Sequence, residues 1–127
     1  MHKTSKLILF LYLILLSCNN AKKPIFKFAT NNIVVDTILV GEKKNVFVEI
    51  KNTGNDTLII QGFECSCECT TPIIKENTKI GPSDSISLQL VLTGYENNRG
   101  KKKSTLCTFK SNTDSVFSRL NISYFTK

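Results

Sequence analysis

Ser85-Ile86-Ser87-Leu88-Gln89-Leu90-Val91-Leu92-Thr93 decides the fold of this chain. Ile86, Leu88, Leu90 and Leu92 fall on one side of an extended backbone, and Ser85, Ser87, Gln89 and Thr93 on the other. Successive strand residues point to opposite faces, so the run reads as a strand with one dry and one wet face. Strands of parallel sheets read apolar on both faces, so this alternation calls for antiparallel pairing.

The flanking segments follow the same rule. Val46, Val48 and Ile50 share one face, with Glu49 and Lys51 on the other. Asn52-Thr53-Gly54-Asn55-Asp56 is rich in turn formers and leads into Thr57-Leu58-Ile59-Ile60-Gln61. Ile25–Phe28 and Ile33–Val40 read as one first strand, broken at Thr30-Asn31-Asn32. Thr71-Pro72-Ile73-Ile74 reads as an edge piece, because Pro72 has no N–H to give a central ladder. Gly81-Pro82-Ser83-Asp84 turns into the strand quoted first, and Tyr95–Lys103 is a polar, basic loop. Thr105–Lys110 and Val116–Phe125 are the last two strands, parted by the turn residues 111–115. No stretch sustains a helical period. About seven short strands separated by turn signals predict an all-β, immunoglobulin-like antiparallel β-sandwich over residues 25–127.

Ahead of this domain stand Lys3, Lys6 and the apolar run Leu7–Leu16, then Ser17 and Cys18. A basic start, a short apolar core and a small residue before the cut describe a secretory signal. The run falls short of the roughly 20 residues that span a bilayer. Leu15-Leu16-Ser17-Cys18 resembles the bacterial lipobox, which predicts a signal peptide over residues 1–17 and acylation of Cys18. Residues 18–24 then form a polar lipidated tether, and the address is the cell envelope. Asn19 is not the acid that retains some lipoproteins in the inner membrane, so the expected site is the outer membrane, facing the periplasm.

Composition excludes whole classes of chemistry. His2 is the sole histidine and Met1 the sole methionine, and both leave with the signal. The mature chain then has no imidazole for Ser-His-Asp or Cys-His catalysis, and no thioether for copper. No catalytic residue is therefore assigned, and no small-molecule substrate is evident. Loss of Lys3 and Lys6 leaves 15 basic against 10 acidic side chains, a net charge of +5. The positives are scattered, without the aromatic interleaving of a single-strand nucleic-acid surface, so no nucleic-acid partner is expected.

Cys65-Ser66-Cys67-Glu68-Cys69 is the least ordinary stretch. Were it extended, neighbouring sulfurs would share a face with Cα atoms about 6.5–7 Å apart, at or beyond the limit for a bridge. A turn changes that spacing. Three readings stay open for Cys65, Cys67, Cys69 and the strand residue Cys107. They are small buried groups, or they form disulfides in an oxidising compartment, or thiolates converge on Zn²⁺ or Cu(I) or do redox work. Cys107 is the natural cross-sheet partner of a bridge.

Taken together, these segments resemble the bacterial domain of unknown function 1573, whose members are immunoglobulin-like and often lipoproteins. The likeness rests on Val46-Phe47-Val48-Glu49-Ile50-Lys51-Asn52-Thr53-Gly54, on Leu58-Ile59-Ile60 and on Cys67-Glu68-Cys69-Thr70-Thr71-Pro72. Ile80-Gly81-Pro82, Gly100 and Ser111-Asn112 complete it, and it runs from Phe26 to Phe125. Glu68 stands where the family's Cys-Gly-Cys-Thr pattern has glycine, Cys65 is additional, and Gly81-Pro82 reverses the usual order. The resemblance implies a sandwich similar to ASH/MSP-type domains and implies no activity.

Asp-Ser/Thr-aliphatic recurs at Thr37, Thr57, Ser85 and Ser115, a pattern similar to an O-glycosylation acceptor of exported proteins in some Gram-negative bacteria. The same order is ordinary turn-to-strand chemistry. The expectation is a non-catalytic, lipid-anchored envelope protein whose sandwich binds another envelope protein or serves a structural role. The alternative is a thiol-based metal or redox protein.

Overall fold

The computed structural model describes residues 20–127. The expected signal peptide and Cys18 lie outside the described residues. Among the described residues nine strands form two sheets: β1 (Phe26–Phe28), β2 (Asn32–Ile38), β3 (Lys43–Asn52), β4 (Leu58–Cys65), β5 (Thr70–Ile73), β6 (Thr78–Ile80), β7 (Ser85–Thr93), β8 (Lys101–Ser111) and β9 (Phe117–Thr126). One sheet has the order β1-β3-β7-β5 and the other β2-β9-β8-β4-β6. A 3-10 turn, Glu96–Asn98, precedes β8.

The alternation in β7 places Leu88, Leu90 and Leu92 in the core, where they meet the inward side chains of the facing sheet. Val48 and Ile50 do the same from β3, and Leu120, Ile122 and Tyr124 from β9. Burying a side chain of this kind is worth about 1.5–3 kcal/mol, so the facing rows hold the sheets together. β5 is an edge strand, as Pro72 requires.

The expected first strand is in fact two strands in different sheets. β1 pairs antiparallel with β3, and β2 pairs parallel with β9. Thr30 bends the chain between them, its hydroxyl donating to the Asn32 carbonyl and accepting from the Asn32 N–H. Phe28 and Ile33 both face the core although they are five positions apart, an odd spacing. A continuous strand would put one of them in water. No reversal intervenes, so β2 keeps the direction of β1, and that is the direction of β9. The sandwich is therefore not purely antiparallel. From the four-stranded sheet, β1 sets the Phe28 ring edge-on to Phe109 of β8 in the facing sheet, at 5.6 Å.

Two further differences concern strand length. β6 was not anticipated, because its three residues bury only Ile80. β8 begins at Lys101, inside the expected basic loop, because β9 supplies partners for Lys101, Lys102 and Lys103.

Asn52 ties one end of the sandwich. Fully buried, its Nδ2 donates to the carbonyls of Asp56, Ile80 and Gly81, and its Oδ1 accepts from the N–H groups of Ile25 and Gly54. Three chain segments converge on this one amide. At the same end the Lys23 carbonyl accepts from Asn55 N–H, and Pro24 is buried. A Cβ at Gly54 would overlap the Lys23 carbonyl oxygen, which explains the glycine there. The last two residues of the expected tether are thus packed onto the domain.

Candidate functional site

β4 belongs to one sheet and β5 to the other, and the cysteine cluster is the crossover between them. Cys65 stands directly opposite Cys107 in the β4–β8 ladder, with Cα atoms 4.0 Å apart, and the two form a disulfide. This bridge joins neighbours in one sheet, not residues of opposite sheets. Beyond Cys65 the backbone turns: Ser66 N–H donates to the Leu106 carbonyl, and Leu106 N–H donates to Ser66 Oγ. The turn draws the Cα atoms of Cys67 and Cys69 to 5.1 Å, inside the spacing of an extended chain, and they form the second disulfide. With the sulfurs paired in this way, the three-thiolate arrangement considered for Zn²⁺ or Cu(I) is not formed. Among the described residues no group of three or more His, Cys, Asp or Glu is placed to hold a metal ion.

Glu68 keeps a negative φ; the positive values at non-glycine residues belong to Asn77 and Ser83. The loss of the family's glycine therefore leaves this turn unstrained. Cys69 is fully buried, with its Sγ 3.6 Å from Thr105 Oγ1. Cys67 is half-buried, and its Sγ accepts from the Cys69 N–H at 3.1 Å.

Cys67, Glu68 and Cys69 line a hollow of about 510 Å³, with Tyr95, the 3-10 turn and Lys103 completing its wall. The Arg99 guanidinium donates twice to Glu96, at 2.7 and 2.8 Å, and holds that carboxyl below its usual range. Tyr124, buried in the neighbouring core, has its phenol pushed above the ordinary value by desolvation, with Tyr95 adding to the effect. Lys103, Tyr95 and Thr105 were not candidates from sequence. The Lys101-Lys102-Lys103 run was visible only as scattered charge, and nothing in it marked Lys103 as the residue turned toward the cysteines.

The Asp-Ser/Thr positions do not gather into one site. Thr37 lies within β2 and is half-buried; Thr57 precedes β4; Ser85 opens β7; Ser115 lies in the β8–β9 turn. Asp56 Oδ1 accepts from Thr57 N–H, the local bond expected of a turn feeding a strand.

A family model described as "Protein of unknown function (DUF1573)" matches residues 26–125. The chain belongs to the DUF1573 family. No curated protein matches it. Solved structures share the sandwich at low sequence identity, which shows fold alone. A protein of unknown function from Porphyromonas gingivalis is 14% identical, with a TM-score of 0.69, over 86% of this chain and 50% of that one. The E. coli chaperone DraB is 14% identical, with a TM-score of 0.58, over 80% of this chain and 54% of that one. An ASH/PapD-like domain of human CEP192 is 11% identical, with a TM-score of 0.58, over 87% of this chain and 91% of that one. This chain spans about half the length of the two bacterial proteins. The fold of the DUF1573 domain is thus a β-sandwich similar to PapD-like domains.

Proposed function

We propose that this protein is a non-catalytic, lipid-anchored component of the cell envelope whose sandwich binds another envelope protein by adding a strand to β2. The supporting observation is the open edge of the five-stranded sheet. β2 is its outermost strand and runs seven residues, whereas the edge strands β1 and β6 run three each. Val34 on β2 is 73% exposed, an apolar side chain beside a row of unpaired backbone groups. The remaining edge, β5, is blunted. Thr93 N–H donates to the Cys69 carbonyl, and in that register the backbone nitrogen of Pro72 points away from β7. An incoming strand would find no donor there. A chaperone acts on other polypeptides, and the likeness in fold to DraB accords with this reading.

The anchor in this proposal is Cys18, and the outer membrane facing the periplasm is the proposed location. Labelled palmitate should enter the wild-type chain and not Cys18→Ser; no label in the wild type ends the anchoring part. Intact mass of the same material reads whether Thr37, Thr57, Ser85 or Ser115 carries sugar. Cross-linking in envelope membranes should capture a partner with the wild type and lose it with Val34→Glu. Equal capture by both would overturn binding through β2.

A further inference from the structure

The two disulfides differ in what each can do. Cys65–Cys107 joins residues 42 apart, across two strands, with Cys107 fully buried. Cys67–Cys69 joins residues two apart in a crossover turn. The entropy a bridge removes from the unfolded chain grows with the loop it closes, so the second bond constrains little. It nevertheless sits in the wall of the hollow, with Cys67 half-buried there and Cys69 fully buried. The Cys69 N–H already points at Cys67 Sγ, a donor that favours negative charge on that sulfur. Lys103 lines the same hollow; Glu68 and Glu96 oppose it, and Arg99 engages the Glu96 carboxylate.

We propose that Cys67–Cys69 is a thiol–disulfide exchange site that accepts electrons from a dithiol, with Cys67 the sulfur attacked and Cys65–Cys107 the staple that keeps the turn in place. A substrate thiolate attacks Cys67 Sγ. A substrate–Cys67 bond forms as the Cys67–Cys69 bond breaks, and the electron pair leaves on Cys69 Sγ. The Thr105 hydroxyl lies beside that sulfur, which then takes a proton from solvent. The second substrate thiol, having lost its proton to solvent, attacks the substrate sulfur of the mixed disulfide. Cys67 departs as a thiolate toward which the Cys69 N–H points, and is protonated in turn. The substrate dithiol is oxidised to a disulfide by two electrons, and the bridge is reduced to two thiols.

The test is a dithiothreitol titration of the folded protein, with alkylation and peptide mapping of each sulfur. Cys67 and Cys69 should open at about 100-fold less reductant than Cys65 and Cys107. Opening of all four sulfurs together, or of Cys65–Cys107 first, overturns the proposal, and this arm needs no variant. In a second arm, Cys69→Ser exposed to oxidised glutathione should hold glutathione on Cys67, and Cys67→Ser should hold none on Cys69. Equal labelling of the two variants would overturn the assignment of Cys67 as the attacked sulfur.

Discussion

The two ends of the sandwich solve the problem of buried polar groups in opposite ways. At the Asn52 end one buried amide engages five backbone groups and ties the entry of β1, the β3–β4 turn and the β6–β7 turn together. At the hollow end Thr70 Oγ1, Tyr124 OH and Thr126 Oγ1 are buried with no hydrogen-bond partner in the protein. A satisfied buried network makes its end rigid, whereas hydroxyls without partners contribute no cohesion. Hydrogen-bonded cohesion is thus concentrated at the Asn52 end. The other end is held by a covalent bond, Cys65–Cys107, and carries the reactive one beside it.

This contrast can be broken by mutation, most sharply at the staple. Replacing Cys65 and Cys107 together by serine should lower unfolding free energy by about 4 kcal/mol in urea titrations, from the loop-entropy relation. A loss no greater than that of the Cys67→Ser, Cys69→Ser double variant would remove the distinction between staple and reagent. Asn52→Ala should cost about 3 kcal/mol, because it leaves buried N–H and C=O groups of three segments without partners. The Cys67→Ser, Cys69→Ser pair should cost only about 1.5 kcal/mol by the same entropy relation.

Tyr124→Phe should change stability at neutral pH by less than about 1 kcal/mol, since it deletes an oxygen without a protein partner. The same variant separates the ends by pH. Burial raises the Tyr124 phenol in the folded state above the ordinary value of 10.0. The unfolded chain therefore releases its proton first, so stability is fully present below pH 10 and falls as pH rises toward the folded value. Tyr124→Phe should flatten that alkaline limb in thermal melts taken across pH 9–12. The smallest effect belongs to Val34→Glu, whose stability should stay within about 0.5 kcal/mol of wild type even as partner capture is lost.

How far the sequence foretold this arrangement depends on what each segment buries. β3, β7 and β9 were legible because each turns one face to the core, and alternation records that directly. The passage from β1 to β2 left a trace in the odd spacing between Phe28 and Ile33, but alternation carries no information on strand direction, so the parallel pair was hidden. β6 buries a single side chain, too little to make a pattern. Pairing overrode composition in the lysines of β8. The cysteines announced the site by type and spacing. Their partners were set by the turn at Ser66–Cys69 and by the β4–β8 register, and neither is written in the local residues. Asn52 looked like one more turn former. Its convergence of three segments is a tertiary fact.

The docking of Lys23 and Pro24 against the β3–β4 turn sets where the chain enters the domain. The polypeptide enters at the Asn52 end, and β3, whose ten residues run from the hollow end to Asn52, separates the two ends by about 33 Å at strand rise. With the proposed acyl anchor at Cys18, the domain stands on its rigid foot. On that proposal the sulfur pair is carried at the summit, a strand's length from the lipid.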